Sequence, residues 1–127
     1  MKLDDHEFDA LITRAMDELP QAYIREMHNV AIVMSDEPNA EQRERLRLRG
    51  DQVLLGLFEG VPRTQQSGSE SGLLPGKITL FKNSLLVVSH DEKSLFEQIK
   101  RTLWHEIAHY YGLNHDDMHE RQVKHGD

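Results

Sequence analysis

The sequence predicts an α+β domain, a small twisted sheet of about three strands packed on an N-terminal helix and a long C-terminal helix. Three observations predict it. Apolar residues recur at helical spacing in two separate segments, near each end of the chain. Between them lie short β-branched apolar runs bounded by turn formers. The length of 127 residues, with 38% hydrophobic content, suffices for one modest core and therefore for one domain over 1–127.

The elements follow in order. Residues 5–19 read as an amphipathic helix, because Phe8, Leu11, Ile12, Ala15, Met16 and Leu19 share one face. Pro20 stops it. Residues 21–28 read as a further short helical piece, with Tyr23, Ile24 and Met27 spaced for packing. Residues 29–35 form a β-branched apolar run and read as a buried central strand, ended by Asp36-Glu37-Pro38-Asn39. Residues 40–49 are dense in Glu and Arg and read as a solvated helix or loop. Residues 52–59 read as a second strand, weakened by Gly56. Residues 60–76 are rich in Gly, Ser and Gln, the composition of a mobile functional loop or a disordered one. The segment from Lys77 to Lys82 reads as a third strand with one side able to face solvent, because Ile78 and Leu80 alternate with Lys77, Thr79 and Phe81. Asn83 is a candidate cap for a helical turn over 84–88.

The long helix spans residues 91–111, with Asp91 or Ser94 at its start. Leu95, Phe96, Ile99, Leu103 and Ile107 make a core stripe, and Gln98, Thr102, His105 and His109 lie on another stripe. Trp104 reads as a packing residue. The helix ends in His105-Glu106-Ile107-Ala108-His109-Tyr110-Tyr111-Gly112-Leu113-Asn114-His115, the pattern HExxHxxGxxH. Histidines four apart stand one turn apart on one face, so both imidazoles reach one metal ion. Glu106 is rotated by roughly 100° from His105, which sets its carboxylate beside the metal and free to handle water. Gly112 adopts a left-handed backbone without penalty, ends the helix and turns the chain back. His115 then becomes a third ligand. Three protein ligands and one open position form the catalytic zinc arrangement, whereas structural sites are closed by four. Asp116 or Asp117 could ligate in place of His115, fix a ligand ring N–H, or be ordinary loop acid. His6, His28, His90, His119 and His125 have no ligand spacing between them and read as surface or structural residues.

This motif resembles that of the metzincin clan of zinc metallopeptidases, and within it the minimal single-domain bacterial zincin-like metallopeptidase family. Residues 56–62, with Gly56 and Pro62, and residues 74–81, with Leu74, Pro75 and Gly76, resemble that family's segments upstream of the helix. The resemblance implies a zincin-like fold, a Zn²⁺ cofactor and peptide or protein substrates. It implies that Glu106 acts as general base and carries the proton of the attacking water to the leaving amine, while zinc stabilises the oxyanion. It also implies substrate pairing with an exposed edge strand, for which Lys77 to Lys82 is the candidate. Its flanking lysines also suit a protected edge. Tyr110 or Tyr111 either donates to the oxyanion or packs against the sheet. The clan's methionine turn has no counterpart here. Met118 follows His115 too soon, and Met34 is either its substitute or a core residue.

Composition narrows the partners. With 22 acidic and 15 basic residues the net charge is −7, which argues against nucleic acid or an anionic membrane. Cysteine is absent, residues 1–7 lack the apolar core of a signal peptide, and no stretch is long and apolar enough to span a bilayer. The expected setting is the cytoplasm. The expected function is a zinc-dependent peptidase acting on short or unstructured peptides. The alternatives are a zinc-stabilised protein-interaction module, favoured by a fourth protein ligand, and a metallohydrolase of a non-peptide amide. Imidazole sites also take Ni, Co and Cu.

Overall fold

A computed structural model describes residues 2–60 and 76–113 of the chain. The expected loop at 60–76 therefore falls almost wholly outside the described residues, as do His115, Asp116, Asp117, Met118, His119, His125 and the tail at 119–127. In chain order the elements are α1 (Asp5–Glu18), α2 (Gln21–Arg25), β1 (Val30–Ser35), α3 (Ala40–Arg45), β2 (Gly56–Glu59), β3 (Gly76–Phe81), α4 (Lys82–Val87) and α5 (Glu92–Tyr111). The three strands form one mixed sheet in the order β1-β3-β2. β3 runs parallel to β1, with Ile32 opposite Ile78, and antiparallel to β2, with Phe58 opposite Ile78. The molecule is thus the small α+β structure that the sequence predicts, with its sheet packed on the first and last helices.

Capping chemistry sets the helix ends. Asp4 accepts a hydrogen bond from Glu7 N at 2.7 Å and begins α1. Asp91 accepts from Ser94 N at 2.7 Å, and the Ser94 hydroxyl oxygen accepts in return from Asp91 N, which begins α5. Gly112 terminates α5 in the left-handed conformation at φ 72°, with Leu113 N bonded back to Ala108 O at 2.9 Å. The core lies between one sheet face and the pair α1 and α5. Phe8, Leu11, Ile12 and Ala15 meet Leu95, Ile99, Leu103 and Ile107, with Ile78 and Leu80 of the sheet fully buried against them. Each of the Leu, Ile and Phe side chains contributes roughly 1.5–3 kcal/mol by leaving water. Trp104 is fully buried edge-on to Tyr23, and Tyr111 is edge-on to the same ring while its hydroxyl donates to Tyr23 O. This aromatic cluster fastens the C-terminal half of α5 to α2.

Four expectations are corrected. The segment from Lys77 to Lys82 is not an edge strand. Residues 76–81 form the centre of the sheet, with a neighbour on each side. Alternation reports which face a side chain takes, and it carries no information about strand neighbours. The two lysines stand at the ends of the strand: Lys77 lies beside Glu59 of β2, and Lys82 already begins α4 and pairs with Asp5 at 2.9 Å. Conversely β1 is an outer strand among the described residues, with no fully buried residue, so Met34 is half-buried at the core margin rather than on a central strand. The second strand is shorter than 52–59, since regular pairing begins only at Gly56. Asn83 is not a cap. α4 starts two residues earlier, at Lys82 behind Phe81, without a side-chain cap, and Asn83 N donates to Asp36 O.

Candidate active site

The last three turns of α5 carry the site because the helix is anchored from its other side. Ile99, Leu103 and Ile107 point into the core, which turns the stripe of Gln98, Thr102 and His105 towards β2. The strand can approach because Gly56 lacks a side chain. A Cβ there would sit 2.6 Å from Thr102 Cγ2 and 3.4 Å from Glu106 Cγ. Helix and strand therefore meet in contact at Gly56 and Thr102, about one helical turn before His105.

His105, Glu106 and His109 come together, each offering a ligand atom within 4.8 Å of the others. The two imidazoles stand one turn apart with centroids 4.4 Å from each other. His105 is half-buried, and the His109 side chain is half exposed. Glu106 is only 5% exposed. Its Oε1 accepts from Phe58 N of β2 at 2.9 Å and lies 3.3 Å from His109 Nδ1. Burial pushes the Glu106 carboxyl above the ordinary carboxylate range, against the opposing pull of the His105 charge and the Phe58 amide. Two imidazole nitrogen donors beside a carboxylate, open to solvent on the His109 side, suit a zinc ion by donor chemistry and by reach. His115 and its rivals Asp116 and Asp117 lie outside the described residues.

The other residues considered from sequence take plain places. The Tyr111 hydroxyl is engaged by Tyr23 O, which turns it away from the site. Tyr110 is buried with its ring edge-on to Phe58, centroids 5.9 Å apart, packing on the sheet. His6, His28 and His90 are exposed and belong to different parts of the surface. Two features escaped sequence reading. The Phe58 amide that anchors Glu106 is a backbone group, to which no residue letter points. A cleft of about 300 Å³ runs from His105 and Glu106 along α5 to Arg101 and Gln98, walled by residues 54–56. The one available signal was the helical spacing that puts Gln98, Thr102 and His105 on one stripe.

The zincin-like metallopeptidase family profile matches residues 27–125. A conserved hypothetical protein from Thermo thermophilus has a similar structure, with a TM-score of 0.56 and 22% identity over 86% of this chain and 94% of the other. That likeness is one of fold. No curated protein matches the chain. The profile takes in the whole sheet, α5 and the sequence through His115, leaving out α1 and α2. Since that span is 99 of 127 residues, and the described part of it brings His105, Glu106 and His109 together, the chain belongs to the zincin-like metallopeptidase family.

Proposed function

We propose that this protein is a zinc-dependent peptidase that hydrolyses short or unstructured peptides, with His105, His109 and His115 as metal ligands and Glu106 as general base. The observation that carries this reading is the Glu106 carboxylate, which is buried beside two imidazoles and anchored through one oxygen to a sheet edge. A bound zinc ion supplies Lewis acidity and lowers the pKa of water towards neutrality. The work of Glu106 is to take a proton from the attacking water and to release it to the leaving amine. The Phe58 amide fixes the carboxylate orientation and leaves the second oxygen for the proton. The peptide pairs along β2 in this reading, because β2 is an outer strand among the described residues and lies beside the site.

The test is digestion of a peptide library, read by mass spectrometry, with zinc-loaded wild type and Glu106→Gln at equal metal content. Loss of about 10²–10⁴-fold in cleavage rate is expected for the variant, the range of general acid–base catalysis. Equal cleavage by both proteins removes Glu106 from the mechanism. Absence of cleavage by metal-loaded wild type turns the function to a binding module or a non-peptide substrate.

A further inference from the structure

The cleft beside the motif is built unevenly. One wall is apolar, from Leu54 and Leu55, and the floor is closed by Gly56 and Thr102. At the end away from Glu106 stand two polar side chains, Gln98 and Arg101, and neither has a hydrogen bond or ion pair among the described residues. Arg101 is exposed, so its guanidinium is open to a ligand entering the cleft from solvent. Several other cations of the described fold are engaged. Arg45 holds Glu59 at 2.6 Å, Lys82 holds Asp5 at 2.9 Å, and Lys100 holds Glu18 at 3.3 Å. Glu97, one turn before Arg101, has the register for an ion pair with it and forms none. Arg101 precedes His105 by one helical turn, so its guanidinium is carried on the stripe that carries the motif.

We propose that this cleft is a specificity pocket for a substrate carboxylate, in which Arg101 takes the charge and Gln98 offers a neighbouring donor. The ligand is an Asp or Glu side chain near the scissile bond, or the free C-terminal carboxylate of a short peptide. Both present the same planar anion to a guanidinium fork. The proposal rests on the peptidase reading for its substrate, but its binding arm stands apart from catalysis. The volume of about 300 Å³ lies at the lower end of small-molecule pockets and accommodates one side chain or a chain end rather than a folded partner.

The experiment uses hexapeptides that differ only in Glu, Gln or Lys at one scanned position, each as the C-terminal amide, and the Gln peptide also as the free acid. Binding to zinc-loaded Glu106→Gln is read by calorimetry, and cleavage by zinc-loaded wild type is read as kcat/KM. The same two readings are taken on an Arg101 series (Gln, Lys and Glu), with circular dichroism to confirm folding. The Glu peptide, or the free-acid Gln peptide, is expected to bind about tenfold better than the amidated Gln peptide, the scale of one charge-assisted contact. That preference is lost in Arg101→Gln, retained in part in Arg101→Lys, and turned towards the Lys peptide in Arg101→Glu. Whichever of the two acidic peptides gains identifies the carboxylate's source. Charge preference in binding without any cleavage supports the pocket and removes the peptidase reading. Cleavage without charge preference, or with a preference indifferent to Arg101, overturns the pocket and leaves the peptidase reading standing.

Discussion

Two glutamates show how neighbours decide what a carboxylate does in this molecule. Glu106 is nearly sealed from water, and desolvation raises its proton affinity against the pull of His105 and the Phe58 amide. Glu59, at the end of the same strand that supplies that amide, goes the other way. Its partial burial pushes the carboxyl up, but hydrogen bonds from Arg45 and Gln42 and the charges of Arg45 and Lys77 outweigh burial and hold it below its ordinary 4.5. Gln42 and Arg45 belong to α3, so this one side chain ties that helix to the edge of the sheet. The sign of the linkage follows. Native Glu59 binds its proton less tightly than the unfolded chain does, so its contribution is complete above about pH 4.5 and disappears as pH falls through the lower native value. Because the pair is partly exposed, the contribution is on the order of 1 kcal/mol or less. In chelator, urea midpoints of wild type and Glu59→Gln should differ by a constant amount from about pH 8 to pH 5 and converge below about pH 4.5. A gap that persists unchanged at about pH 3 would show that the ionised form is not what matters.

At the scale of elements, the contact of β2 with α5 rests on the missing side chain of Gly56. Thr102 is β-branched and stiff in a helix, so it yields little to an added methyl group. Gly56→Ala should therefore cost about 1–3 kcal/mol in a urea titration. Thr102→Ser removes the clashing Cγ2 and should recover most of that loss in the double variant, since the remaining approaches to Thr79 O and Glu106 Cγ are 3.3 and 3.4 Å. Additive losses would place the strain elsewhere. The same contact marks where sequence reading stops. α1 and α5 were legible because their apolar residues repeat at the helical period, and the ends of α5 are written in Asp91 and Gly112. Gly56 was visible as a weak point in a strand, but its reason is a neighbour 46 positions later, Thr102. Strand order was not legible, since parallel β1 and antiparallel β2 both pair with β3 through backbone groups shared by every residue type. His105, Glu106 and His109 were legible because they lie within one helical turn. The Phe58 amide was not, because it reaches Glu106 across 48 positions.

For the molecule as a whole, the proposed metal site joins α5 to the chain beyond Gly112, and α5 is the helix on which the sheet and α1 both pack. An ion bound by the native state and not by the unfolded chain stabilises the fold by RT ln(1 + [M]/Kd), about 2.7 kcal/mol at a hundredfold excess over Kd. On a domain of this size that is a rise in Tm on the order of 10 °C. Zinc titrated into chelator-stripped wild type should raise Tm with this logarithmic dependence, and His105→Ala should abolish the rise. His115→Ala separates the ligand sets. If His115 is the third ligand, its loss weakens the zinc-dependent rise at every concentration. If the rise is unchanged in His115→Ala and is lost instead in Asp116→Ala or Asp117→Ala, the third ligand is a carboxylate. Such a site would carry a smaller net charge on its metal than one made of three neutral imidazoles, and its water would be less acidic. The same titration therefore weighs the peptidase reading through the ligand that sets the metal's acidity.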